Sequence, residues 1–203
     1  MAHALHRQSR RLVQATPGQI ASDGDGVRLT RYIGGSELPM VDPFLLFDCF
    51  GSDQALDYIG GFPDHPHRGF ETVTYMLAGR MRHKDSEGHE DVIGPGDVQW
   101  MTAGRGLVHS EMPEQTEGLM QGFQLWVNLP AEQKMTAPTY RAISAGSIPV
   151  ETLPSGGVLK VIVGASDHGT VGPVVIPTSS PLFFDVTLPP GGRFEQAVLA
   201  SHS

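Results

Sequence analysis

An all-β fold, a sandwich or barrel of short strands, is the architecture this sequence predicts, and three observations carry the prediction. Its 25 glycines and 16 prolines make up about a fifth of the 203 residues and are spread along the chain, as turns between short strands require. The segments between them are short and rich in β-formers, several alternating apolar and polar residues, at about ten-residue spacing. Two stretches set side chains of metal-ligand type two residues apart, His65 and His67 in one, His109 and Glu111 in the other. Alternate residues of a strand share a face, so each pair projects inward together if its stretch is extended.

Taken in order, residues 1–20 carry Arg7, Arg10 and Arg11 and then Thr16-Pro17-Gly18, which reads as a solvated tail or an outer strand. Residues 23–26 (DGDG) are a turn, and 27–33 (VRLTRYI) alternate as a half-buried strand does. Residues 44–50 are an apolar run holding Cys49, the only cysteine. That excludes an intramolecular disulfide, fits a reducing compartment, and favours a buried, inert thiol. Residues 51–59 are polar and loop-like. Residues 70–76 (FETVTYM) are β-rich, with Glu71, Val73 and Tyr75 sharing one face. Were that strand unbroken from His65, Glu71 would share the face of the histidines. Residues 78–80 turn the chain, 81–85 (MRHKD) return as a strand, and 86–90 turn again. His83 is expected at the surface or in a supporting position behind the ligands; His89 lies in the turn. Residues 98–101 form a strand, 102–106 a Gly-rich turn, and 107–112 carry the second ligand pair. Residues 119–129 make a longer strand with Phe123, Leu125 and Val127 on one face. Residues 130–140 read as a linker with at most one helical turn. Three further strands, over 158–164, 172–176 and 182–188, open a second β domain. The expected division is therefore 1–133 and 134–203.

A formal net charge of -8 argues against a surface that directly contacts nucleic-acid phosphates. No stretch approaches the roughly 18–20 apolar residues of a membrane span. The N-terminus lacks the apolar core of a secretory signal. A soluble, cytoplasmic protein is expected.

Three imidazoles and a carboxylate at one point suit a borderline divalent transition metal: Fe(II), Mn, Co, Ni, Cu or Zn. Pro66 and Ser110 are the outward residues of their pairs. A six-coordinate ion held by four protein ligands keeps two positions for substrate, water or dioxygen, unlike the thiolate-rich structural sites of zinc. His3, His6, His168 and His202 lie outside the motif region and read as solvated.

The stretch GFPDHPHRGFETVTYMLAGRMRHKDSEG, followed by GDVQWMTAGRGLVHSEMP, resembles the N-terminal cupin domain of the pirin family. The resemblance implies a cupin-type β-barrel, a double-stranded β-helix or jelly roll, followed by a second, here incomplete, cupin-like domain. It implies metal only in the first barrel, with His65, His67, His109 and Glu111 as its ligands and Fe(II) heading the list of ions. Glu71, a ligand in many other cupins, is expected to support the site or the structure. The family includes quercetin 2,3-dioxygenases, so a flavonoid-like aromatic substrate is implied, with Glu111 as general base. Phe62, Phe70, Met76, Trp100, Met101, Met112 and Phe123 are candidates to surround its rings. The alternative is a non-enzymatic, metal-binding regulatory or redox-sensing protein that acts through protein partners. Chains of this kind are expected to continue well past Ser203. Unpaired strand edges would then be covered by the first domain or by a second copy in a homodimer.

Overall fold

The alternating segments form strands, and glycine turns punctuate them. The computed structural model describes residues 9–174 and 181–199. They form two compact units: one is Thr16–Ala145, and the other takes the described residues from Gly146 onward with those before Thr16. No helix among the described residues is long and apolar enough to cross a membrane.

The larger unit holds eleven strands: β1 (Gln19–Asp23), β2 (Val27–Ile33), β3 (Phe44–Ser52), β4 (Phe62–His67), β5 (Phe70–Ala78), β6 (Met81–Asp85), β7 (Glu90–Ile93), β8 (Val98–Thr102), β9 (Leu107–Pro113), β10 (Met120–Asn128) and β11 (Thr139–Ile143). A seven-stranded sheet runs β1-β2-β3-β10-β5-β8-β11, and a four-stranded sheet runs β4-β9-β6-β7. Their facing sides share an apolar core. Val27, Leu29, Phe50, Met76 and Met120 of the large sheet pack with Met81 and Ile93 of the small one. Each such side chain contributes about 1.5–3 kcal/mol by leaving water. The same interior, where polar residues replace apolar ones, houses the histidines.

The strand expected to run on from His65 is broken. Gly69 adopts φ +80°, a left-handed turn between β4 and β5, and its N–H donates to the Gly104 carbonyl at 2.8 Å. The turn sends β4 into the small sheet and β5 into the large one. Glu71 thereby leaves the histidine face. It stands opposite Thr102, whose hydroxyl donates to Glu71 Oε1 at 2.7 Å.

The stretch read as a linker carries a 3-10 turn at Ala131–Gln133 and then β11, which pairs with β8. Lys134 Nζ donates to the Gly69 carbonyl at 2.9 Å and to Asn128 Oδ1 at 2.6 Å, fixing the turn between the two sheets. Cys49 is half-buried rather than buried, and burial pushes its thiol pKa up, as an inert thiol requires.

One ion pair stiffens the sheet beside the cavity described below. Arg31 of β2 faces Asp48 of β3 and donates to both its oxygens, at 2.9 and 2.7 Å, and to Asp23 at 2.8 Å. The Asp48 side chain is 4% exposed, so it depends on that partner. We expect Arg31→Met to cost about 2–4 kcal/mol, the range for stranding a buried carboxylate, discounted for the partial exposure of Arg31. Urea denaturation measures it, and a cost below 0.5 kcal/mol would show the pair to be dispensable.

The second unit contains β12 (Val150–Thr152), β13 (Val158–Val163) and β14 (Phe183–Thr187) in one antiparallel sheet. Leu153, Leu159 and Val161 form its core with Phe184, Val186 and Phe194. Two of the three strands expected here are β13 and β14. Of the third, Val174 makes a parallel bridge to Val163, and residues 175–180 lie outside the described residues. His168 is exposed, as expected, and pairs with Glu151.

Candidate metal centre

Strand pairing brings the two histidine motifs together. β4 lies antiparallel to β9, with His65 directly opposite His109. A bulge between Phe62 and His65 shifts the register, so Glu111 stands opposite Phe62. On the other side of β9, β6 places His83 opposite Glu111 and Asp85 opposite His109. Period two then turns His65, His67, His109, Glu111, His83 and Asp85 toward the interior.

The ligand atoms of His65, His67 and His109 all lie within 4.8 Å of one another. His65 Nδ1 donates to the Pro63 carbonyl at 2.7 Å, which leaves its Nε2 lone pair free. That lone pair faces His67 Nε2 at 3.0 Å. Two imidazole nitrogens so placed must share either a proton or a cation. Ligands at right angles, each about 2.1 Å from an ion, are about 3 Å apart. His109 Nε2 is buried and has no hydrogen-bond partner. An orphaned buried acceptor is costly unless something absent from the protein satisfies it. The donor set fits a divalent transition metal.

Burial pushes the pKa of His67 down to about 3, helped by His109 and His65 and opposed by Glu111. Burial pushes His109 down to about 3 as well, helped by His65 and His83 and opposed by Asp85. Both rings are therefore neutral and can ligate at physiological pH. A stability prediction follows for chelator-treated protein. Between the unfolded value of 6.5 and the folded value of about 3, the unfolded chain binds protons that the folded chain refuses. The contribution of these rings is complete above pH 6.5 and is lost as pH falls toward 3. The slope should reach up to about 2.7 kcal/mol per pH unit for two protons. Denaturation at pH 7.0 and 5.0 tests it, and His67→Phe should halve the slope; an unchanged slope would refute the assignment.

Glu111 lines the same cavity, but its carboxylate is gripped from across the interior. Gln124 of β10, Thr74 of β5 and Gln99 of β8 form one register row across three neighbouring strands. Thr74 Oγ1 and Gln99 Nε2 both donate to Glu111 Oε1 at 2.8 Å, and Gln124 Nε2 donates to Oε2 at 2.8 Å. Glu111 thus spans the two sheets, one residue-pair away from His109 on the same strand.

The cavity has a volume of about 480 Å³. His65, His67 and Glu111 line it, and Phe50, Phe62 and Trp126 supply aromatic wall. Asp23, Asp25 and Asp64 bring acidic side chains to it. His67 packs edge-on against Phe70 and Trp126, at centroid distances of 4.9 and 5.0 Å. Of the seven apolar candidates, Phe62 lines the cavity. Met76, Trp100 and Met101 are buried core, and Phe123 stacks on Phe47 at 5.5 Å. Trp126 and the Gln124–Thr74–Gln99 row had no reading from sequence. Their signal was parity: Gln124 and Trp126 alternate with the apolar face of β10.

A family model described as Pirin matches residues 26–127. A pirin-like protein of Caulobacter vibrioides is 61% identical over 189 residues, covering 93% of this chain and 68% of its own length. A Pseudomonas aeruginosa protein, provisionally named a quercetin 2,3-dioxygenase, is 51% identical over 198 residues, covering 95% of this chain and 69% of itself. The crystal structure of a quercetin 2,3-dioxygenase from Acinetobacter baumannii superposes with a TM-score of 0.71 at 36% identity, over 83% of this chain and 60% of that one. The chain thus spans 60–69% of the lengths of these three proteins.

Proposed function

The chain belongs to the pirin family, and from that premise we propose that it is a metal-dependent dioxygenase of flavonol-type substrates, with His65, His67, His109 and Glu111 holding the metal in its N-terminal cupin domain. The observation that carries the reading is the meeting of three imidazoles, one with an orphaned Nε2, two of which, His65 and His67, line a cavity walled by aromatic rings. The names of the Pseudomonas aeruginosa and Acinetobacter baumannii relatives point the same way. Imidazole–carboxylate sets with open positions suit non-haem Fe(II), which is the ion we assign.

When bound, such an ion supplies Lewis acidity toward a substrate hydroxyl and a redox partner for dioxygen. The protein's own part is positioning and proton transfer. Glu111 takes the proton of the flavonol 3-hydroxyl, and the Gln124–Thr74–Gln99 row holds its carboxylate in place for that step. Phe50, Phe62 and Trp126 take the flat ring system. The acidic residues at the cavity favour a neutral phenol over a carboxylated or sulfated one. The overall reaction consumes one flavonol and one dioxygen and releases a depside and one carbon monoxide, so every atom is accounted for.

The test is anaerobic loading with Fe(II), then aerobic addition of quercetin, following loss of flavonol absorbance and release of carbon monoxide. His67→Ala is the control. Metal-dependent turnover is the expected result. Tight metal binding without turnover would overturn the dioxygenase reading in favour of a metal-dependent binding protein.

A further inference from the structure

We infer that His83 and Asp85 are positioning residues that set the tautomer of His109, so that its Nε2 lone pair points to the metal centre. The inference rests on the metal-centre reading above.

Asp85 ends a chain of buried groups. Its Oδ1 accepts the backbone N–H of Glu87 and of His89, both at 3.0 Å. Its Oδ2 faces His83 Nε2 at 3.1 Å and His89 Nδ1 at 2.9 Å. A carboxylate that collects this many donors is an acceptor only. His83 must therefore carry its proton on Nε2 and offer Nδ1 as an acceptor. His83 Nδ1 faces His109 Nδ1 at 3.4 Å. His109 accordingly donates from Nδ1, and its Nε2 is left with a lone pair. That atom is the buried nitrogen without a partner. The network fixes the tautomers, and each proton forces the next.

The packing keeps the chain in place. His83 is fully buried and lies flat on Tyr140 of β11, at a centroid distance of 4.2 Å and an interplanar angle of 16°. The same strand pairing that sets His83 opposite Glu111 and Asp85 opposite His109 holds both in register with the ligands. An imidazole bound to metal is ordinarily oriented by a carboxylate or carbonyl on its other nitrogen. Here a second imidazole is interposed, and the carboxylate acts through it.

The geometry makes Asp85→Asn a selective test. The backbone N–H groups of Glu87 and His89 hold Oδ1, so the amide nitrogen takes the place of Oδ2. It donates to His83 Nε2 and moves the His83 proton to Nδ1. His109 must then accept at Nδ1 and carry its own proton on Nε2, which closes the lone pair to metal. Nitrogen-15 imidazole spectra of chelator-treated full chain should show His109 protonated on Nδ1 in the wild type and on Nε2 in Asp85→Asn. Calorimetric titration with Co(II) should show about 10–100-fold weaker binding in Asp85→Asn, the range for groups that orient a ligand. His83→Gln, which can accept from His109 and donate to Asp85, should keep Co(II) affinity within about threefold. His83→Phe, which keeps the stack on Tyr140 but not the acceptor, should lose affinity like Asp85→Asn.

Wild-type His109 protonated on Nε2 would overturn the inference whether or not the variants fold. So would a folded Asp85→Asn that keeps wild-type affinity, or equal affinities in His83→Phe and His83→Gln. Failure of wild-type protein to bind Co(II) would instead overturn the metal-centre reading, and the spectra would still decide the tautomer.

Discussion

Replacing His67 with alanine is expected to weaken Co(II) or Fe(II) binding by more than about 100-fold, because residues that merely orient a ligand already cost 10–100-fold. His67 Nε2 lies 3.0 Å from His65 Nε2, and no other described side chain is grouped with those of His65 and His109. Two imidazoles from facing strands would remain, with Glu111 as the one further proposed ligand. The fold should survive. His67 packs edge-on against both Phe70 and Trp126, so alanine leaves a cavity worth about 1–3 kcal/mol. Part of that loss is recovered below pH 6.5, since the variant no longer buries a ring that resists protonation. Calorimetric titration gives the affinity. Trp126 gives a second readout, since a paramagnetic ion beside His67 should quench its emission in wild type but not in the variant. Affinity within threefold of wild type would remove His67 from the site.

The centre was legible from sequence to the extent that it is local. His-x-His and His-x-Glu announce strands because only period two sets both members on one side. The pairing of β4 with β9 then follows the motifs. Legibility fails where strands change sheets. Parity counted from His65 carries Glu71 onto the ligand face, but the left-handed turn at Gly69 divides the count, and Glu71 ends beside Thr102. It also fails for register between distant strands. Gln124, Thr74 and Gln99 are 25 to 50 residues apart pairwise, and only the β10-β5-β8 register aligns them on Glu111. His83 was placed near the site without its partner, because the His83-x-Asp85 pair gains meaning only when β6 lies against β9. β11 was missed because TYRAI follows a Pro-rich stretch that carries no apolar alternation.

The second large effect concerns Glu111, where charge and shape can be separated. Glu111→Gln is expected to fold, to keep metal within about tenfold, and to lose about 10²–10⁴ in turnover, the usual worth of a general base. Folding follows from the row that holds it. The new amide brings one N–H₂ into a site built of donors, which would cost a buried hydrogen bond if nothing rearranged. Gln99 can rearrange: its Oε1 is buried without a partner, and flipping that amide presents it as the acceptor the new group needs. With the amide nitrogen in place of Oε1, Gln124 keeps the remaining oxygen to donate to, and Thr74 can donate to Gln124 Oε1 at 3.2 Å. What cannot be restored is a carboxylate able to receive the 3-hydroxyl proton. The measurement is therefore a comparison of two ratios, Co(II) affinity and Fe(II)-dependent quercetin turnover, in Glu111→Gln and His67→Ala. A loss mainly in the second ratio marks the base role of Glu111 as dominant, and a comparable loss in both marks its ligand role as dominant. If Glu111→Gln loses affinity as His67→Ala does, Glu111 acts first as a ligand and the row is its support. If it keeps full turnover, the proton of the substrate goes elsewhere, and the row of Gln124, Thr74 and Gln99 is architecture that joins the two sheets through one buried carboxylate.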